Sequence, residues 1–322
     1  MKKLFNVMCL FALMFGAMSC HHIDLYDPSS GLYIAFDFDV EEDGRTDTKA
    51  SFAELAVGLR VLFYDPAQNY YVYDEVLSPM GGFVHVDPGT YDIIAYTIGS
   101  EVIRTSGINT RGTAYAYTEE IGASLVFTKA GENGEPDINL NFPIVNMPDG
   151  IYVGTATGVY VPGVNTDEQT ARFELTVRPL VTGWTFIAND IAGAENISSM
   201  SCYITGQLQG RYMWDSHYEH KVTAIGFNVH FDQATKCITG QFNTFGKHPQ
   251  ALANVFLNIV VQSSSGGYYQ WIYDVTEQFE NPDNTYHRLV VSEPIIIPAA
   301  DGGGVSPSVD DWNAEIINIP LN

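Results

Sequence analysis

Basic residues are scarce in this chain. Fifteen Lys and Arg stand against 38 Asp and Glu, a formal net charge of −23 over 322 residues. A body with that field repels polyanions, which excludes nucleic acid as a partner and electrostatic docking onto an anionic membrane. Charge of either sign is sparse, at 16%, while hydrophobic residues make 46% and aromatics 13%. That balance belongs to a globular chain, not a disordered one. Helical periodicity is missing, since no stretch carries ten residues of a 3.6-residue pattern. No short-period repeat appears. The N-terminal apolar run, Leu4 to Phe15, falls short of the ~20 residues that span a bilayer.

Motifs of chemistry are lacking as well. There is no Gly-x-Ser-x-Gly elbow and no glycine-rich loop placed to cradle phosphate before a helix. Gly302-Gly303-Gly304 reads as a flexible turn. Asp39, Glu41, Asp43 and Gly44 follow the start of an EF-hand loop. The twelfth position, which must supply a bidentate Glu, is Ala50. Calcium held by Asp37, Asp39, Glu41 and Asp43 and a solvated acidic loop are the two readings of that stretch. His217 and His220 would share a helical face, but on a strand they point apart, which is poor zinc geometry; His230 lies beyond. The expectation is therefore no catalytic residue, no metal, no cofactor and no enzymatic activity.

What is present begins at the N-terminus. Lys2 and Lys3 precede the apolar run, and Ala17-Met18-Ser19-Cys20 closes it. Basic, apolar, then small is the order of a secretory signal peptide. With a cysteine after the small residues, it resembles a bacterial lipoprotein signal. The resemblance implies cleavage before Cys20 and acylation of Cys20, giving a signal peptide over 1–19 and a lipidated tether over 20–30. A plain signal with Cys20 unmodified, or an uncleaved helix, are the alternatives. Each buried methylene contributes about 0.8 kcal/mol, and one acyl chain binds only marginally. The two or three chains of bacterial lipoproteins would make the attachment to outer-membrane lipid stable. The expected location is the outer membrane, facing the cell surface.

After the signal, about 300 residues remain, enough for two domains. Leu32, Ile34, Phe36, Phe38 and Val40 alternate with Tyr33, Ala35, Asp37 and Asp39, the pattern of a half-buried strand. Leu59, Val61 and Phe63 alternate again, and Tyr70 to Val76 is expected to pair with them across Asp65-Pro66. Asp87-Pro88-Gly89 between Phe83–Val86 and Tyr91–Ile98 predicts a tight turn between antiparallel strands. Short strands at similar spacing continue to the C-terminus. They predict an all-β chain of sandwiches or barrels. Pro143 to Gly150 is the expected boundary, dividing an N-terminal sandwich over 31–147 from a C-terminal one over 148–322. Cys202 and Cys237, in an oxidising compartment, are either a disulfide or two free thiols on different strands.

Val86-Asp87-Pro88-Gly89-Thr90-Tyr91 resembles a turn of transthyretin-like sandwiches. To it are added Ile191 to Ile197, Ile204-Thr205-Gly206, Tyr273 to Thr276, Gly302 to Val305 and Val309-Asp310-Asp311-Trp312. Together they are similar to the fimbrillin-related lipoproteins of Bacteroidetes, within a group of unassigned function whose relatives include fimbrial anchor subunits. The resemblance implies two tandem transthyretin-like Greek-key sandwiches, with Pro88, Gly89 and Tyr91 as a structural turn. It implies fimbrial or other surface subunits as partners, joined by strand addition. Ala314, Ile316, Ile317, Ile319 and Leu321 are candidates for an exchanged strand or for an ordinary internal edge strand. Arg45 and Lys49 lie where polymerising fimbrillins are cut, but anchor subunits are not cut there, and no cleavage site is assigned. The implied role is a structural, anchoring or adhesive component of a fimbria-like assembly. The alternative is a glycan-binding surface lipoprotein, with aromatic patches at Tyr212/Trp214 and at Tyr268, Tyr269, Trp271 and Tyr273. Burial of those rings decides between sugar binding and packing.

Overall fold

The computed structural model describes residues 30–39, 57–129, 138–163, 171–215, 217–218, 221–249, 254–297 and 312–317. The all-β expectation holds. Apart from 3-10 turns at Arg111–Thr113 and Ala194–Asn196, the described residues hold one helical turn, Thr276–Glu280, among 23 strands.

The first large sheet runs β3 (Tyr71–Leu77), β2 (Gly58–Tyr64), β5 (Gly89–Ile98), β10 (Tyr152–Val161), β11 (Arg172–Pro179), β1 (Leu32–Phe38) and β4 (Gly82–Val84). It rolls over on itself, so β4 comes back against β3. The interior is built from alternating residues: Leu32 and Ile34 of β1, Leu59, Val61 and Phe63 of β2, and Ile93 and Ala95 of β5. The β2–β3 pairing follows the expected hairpin, with Leu59 opposite Leu77 and Phe63 opposite Tyr73.

The second large sheet runs β20 (Tyr268–Asp274), β19 (Phe256–Ser263), β14 (Ile197–Leu208), β16 (Val222–Phe227), β9 (Ile138–Val145), β8 (Glu120–Lys129) and β23 (Trp312–Ile317). Its ends also approach, β23 against β20. A four-stranded sheet of β17 (Val229–Asp232), β18 (Cys237–Thr244), β12 (Thr182–Ala188) and β21 (Arg288–Val291) covers one face. Between the two lie Trp184, Phe186, Ile204, Ile225, Phe242, Leu257, Ile259 and Trp271, a sandwich core. Its other face carries a second cluster around Leu125, Phe142, Tyr203, Phe256 and Ile272. The short strands β13 (Ile191–Ala192) and β22 (Ile295–Ile296) pair separately.

Two features correct the sequence reading. The expected division at residue 147 does not follow the sheets. β8 and β9, before it, pair in the second sheet, while β10 and β11, after it, pair in the first. The chain is interleaved because β5, antiparallel to β2 on one side, takes β10, 57 or more residues onward, as its antiparallel partner on the other. Nor does Asp87-Pro88-Gly89 close a hairpin. β4 pairs with β1 and β5 pairs with β2 and β10, so residues 85–88 carry the chain from one layer to the other. The tight turn is Ser78 to Gly81, where Gly81 N–H donates to Ser78 O at 2.9 Å. Gly81 has φ +101°, and a Cβ there would sit 2.2 Å from Ile34 O. Only glycine satisfies both demands.

A three-stranded sheet of β6 (Ile103–Ser106), β7 (Tyr115–Thr118) and β15 (Gly210–Tyr212) ties the halves together. Leu62, Tyr64, Ile94 and Tyr96 form the outer face of the first sheet, and they pack with Leu208, Met213 and Phe245 from the second half. Strand β2 is thus buried on both faces, although its apolar alternation alone marks one.

Cys202 in β14 and Cys237 in β18 are free thiols. Cys202 is sealed in the sandwich core, and burial pushes its thiol pKa well up.

Candidate functional site

Of the residues singled out from sequence, Cys20, Arg45, Lys49, Ile319 and Leu321 lie outside the described residues, as does the calcium loop beyond Asp39. Asp39 itself pairs with Arg178 at 2.9 Å on the surface. His217 Nδ1 sits 2.8 Å from Asp215 Oδ1, His230 lies on β17, and His220 is outside the described residues. No cluster of three or more His, Cys, Asp or Glu suited to a metal occurs among the described residues.

The turn residues are drawn into an aromatic knot. Tyr91 Oη donates to Asp87 O at 3.0 Å, and Tyr73 Oη donates to Asp87 Oδ2 at 2.5 Å. Asp87 N–H in turn donates to Tyr73 Oη at 3.2 Å. Phe63, Tyr73 and Tyr91 meet edge to face, with centroids 5.7 to 6.4 Å apart. Desolvation first, and the bond to Asp87 second, push the Tyr73 phenol up to about 12. Pro88 and Gly89 therefore position a layer crossing, with Tyr91 as its inner brace.

The C-terminal strand is seen over Trp312–Ile317. It pairs antiparallel with β8, Ala314 opposite Phe127, Ile316 opposite Leu125 and Ile317 opposite Ser124. It is an edge strand of the second sheet within the chain itself.

The two aromatic patches separate. Tyr269, Trp271 and Tyr273 are buried in the sandwich core while Tyr268 is exposed, so three of the four rings are packing and no coplanar exposed pair is left. Strand alternation put one face inward, and those three rings sit on that face. Trp214 instead lines a cavity of about 440 Å³ together with Gln68, Asn69, Tyr70, Thr110, Arg111, Gly112 and Asp215.

Three loops build this cavity. The β2–β3 loop is shaped by Asp65, whose carboxylate accepts the N–H groups of Ala67 and Gln68. It brings Asn69 into the left-handed region at φ +60°, a conformation asparagine tolerates. The β6–β7 loop is latched to it: Arg111 N–H donates to Asn69 O at 3.0 Å and Tyr71 N–H to Asn109 O at 3.2 Å. Tyr64 Oη donates to Ile108 O from below. The loop after β15 is fixed by Met213 N–H on Ala114 O at 2.8 Å.

Arg111 is the hub. Its guanidinium lies 4.4 Å from the Trp214 ring centroid and is ion-paired with Asp92 on β5. Trp214 packs in turn against the apolar cluster joining the two halves. Tyr70 is 58% exposed. The sequence flagged Trp214 and Tyr212, but Tyr212 is spent on Tyr115, 4.8 Å away between centroids. Gln68, Asn69, Thr110 and Arg111 went unflagged. They come from loops with no motif, and only the strand pairing brings them together.

Residues 19–228 match the family described as a domain of unknown function, DUF5119. The chain belongs to the DUF5119 family. Over 99% of its length, this DUF5119 protein is 24% identical to a Bacteroides ovatus protein, of which 98% is covered. That relative's name is that of a fimbrium anchoring subunit, Fim4B. A crystal structure described as an adhesin of Bacteroides ovatus has the same fold, with TM-score 0.57 and 22% identity. It is matched over 85% of this chain and 96% of the other. A second adhesin structure from Bacteroides ovatus gives TM-score 0.52 at 12% identity, over 89% and 94%. The resemblance to fimbrillin-related proteins is met by these relatives.

Proposed function

We propose that this DUF5119 protein is a non-catalytic surface lipoprotein, held to the outer membrane through acyl groups on Cys20. Its role is to anchor, or to adhere within, a fimbria-like assembly. The observation that carries the reading is the end-to-end alignment with a relative named for fimbrium anchoring, 99% of one chain against 98% of the other. A match of that extent includes the N-terminal stretch that reads as a lipoprotein signal. Two rolled sheets braced by a shared apolar seam make a stiff body for such a role. The described residues contain no helix long and apolar enough to cross a membrane.

Strand addition is the proposed mode of assembly, with 314–321 as the donor segment. The pairing of Trp312–Ile317 with β8 in the same chain is the arrangement such an exchange must displace. The glycan-uptake reading loses the Tyr269/Trp271/Tyr273 patch to the core and rests, among the described residues, on the Trp214 cavity.

The test is fractionation and crosslinking in the native host. The wild-type chain is expected in outer membranes, crosslinked to a fimbrial shaft protein. Cys20→Ala is expected in the soluble fraction. Recovery of wild type with no surface subunit overturns the anchoring role. Unchanged membrane attachment of Cys20→Ala overturns the lipid anchor.

A further inference from the structure

We propose that the three-loop cavity around Trp214 and Tyr70 binds a neutral sugar residue. At about 440 Å³ its size is that of an ordinary small-ligand site. Its lining decides the ligand class.

Charge comes first. Arg111 is the cationic side chain in the lining, and buried Asp92 already matches it. Asp215 is the acid there, and it faces His217. An anion finds no uncompensated positive charge, since Arg111 is paired with Asp92, and the chain's net charge of −23 turns anions away at long range. For a cation there is one solvent-exposed carboxylate, Asp215, too little to desolvate and hold it. A neutral ligand fits.

Shape and polarity come next. Tyr70 offers an exposed ring whose negative π face suits the polarised C–H groups on one side of a pyranose. Around it stand the amides of Gln68 and Asn69, the hydroxyl of Thr110, the carboxylate of Asp215 and the guanidinium fork of Arg111. These groups donate and accept in pairs, which is what vicinal hydroxyls require. Preorganisation supports the assignment. Stacking on Trp214 and the Asp92 pair hold the guanidinium, and backbone bonds lock the 65–70 loop to the 107–113 loop. Such fixed groups lose little entropy on binding.

The test uses the detergent-solubilised full chain, titrated calorimetrically with four pentasaccharides. Three are neutral: β-1,4-linked glucose, β-1,3-linked glucose and α-linked mannose. The fourth, pentagalacturonate, is the anionic control. At least one neutral sugar is expected to saturate below about 1 mM. Tyr70→Ala and Gln68→Ala are expected to weaken it about tenfold, with unchanged melting temperature, and Tyr70→Phe to keep most of the affinity. Failure of all three neutral sugars overturns the proposal. So does preference for pentagalacturonate, or variants that bind as wild type does. The readout is independent of the anchoring role: sugar binding without a fimbrial partner, or the reverse, separates the two.

Discussion

Arg111 and Asp92 form an ion pair in which the acid is 4% exposed and belongs to a strand in the middle of the first sheet. The other carboxylate oxygen, Asp92 Oδ1, accepts the N–H of Gly158 at 2.9 Å, inside the register shift of β10. One buried carboxylate thus fixes a bulge in the sheet and the loop that carries the cavity. Removing one member of a buried pair leaves the other charge uncompensated. Asp92→Asn is expected to lower the unfolding free energy by about 3 kcal/mol. Urea titration followed by fluorescence measures it, and a loss under about 1 kcal/mol contradicts the bracing role.

Buried tyrosines are expected to weaken the fold at alkaline pH. Burial raises Tyr152 to about 12, and burial with the Asp87 bond raises Tyr73 to about 12. The unfolded phenols ionise near 10. Below pH 10 both states hold the proton and stability is flat. Between pH 10 and 12 the unfolded chain releases protons that the folded chain keeps, so stability falls as pH rises. Tyr73→Phe and Tyr152→Phe are each expected to flatten that fall. Denaturant midpoints across pH 9 to 12 provide the check; an unchanged slope in both variants counts against these two groups.

Gly210 sits where β15 meets β7, and a Cβ there would lie 2.2 Å from Ala116 O and 2.6 Å from the Tyr117 Cβ. Gly210→Ala must push the two strands apart. The expected cost is about 1–3 kcal/mol, with faster amide exchange in 115–118 and 210–212. Hydrogen exchange by mass spectrometry tests it, and native protection in both segments refutes it.

The thiols should differ in reactivity. Cys202 is fully enclosed with its pKa raised, while Cys237 is partly exposed on β18 and donates to Asn189 Oδ1 at 3.2 Å. The thiolate is the reactive species, so a maleimide is expected to label Cys237 and spare Cys202 until the protein unfolds. Peptide mapping after a short labelling pulse reads the outcome. Modification of folded Cys202 at a similar rate argues against its burial.

How much of this was written in the residue pattern varies by element. The β2–β3 hairpin was legible because Leu59, Val61 and Phe63 alternate and Asp65-Pro66 stands before their partner strand. The burial of Leu62 and Tyr64 was not, since a strand apolar on both faces loses the contrast that periodicity reads. The aromatic run 268–273 announced a strand but left open whether its rings were core or platform. The pairing of β5 with β10 and of β9 with β16 joins segments far apart in the chain, and no local rule selects them. The same non-locality hid Gln68, Asn69 and Arg111 from the site.

Interleaved strands also dictate an order of assembly. A polypeptide delivered N-terminus first presents residues 120–145 before their sheet exists, and completes the earlier sheet only when residue 179 arrives. During that interval two unfinished, sticky edges coexist on one chain. Any route that exports it unfolded must therefore shield both at once, and trimming it at the midpoint would leave each fragment without its missing staves.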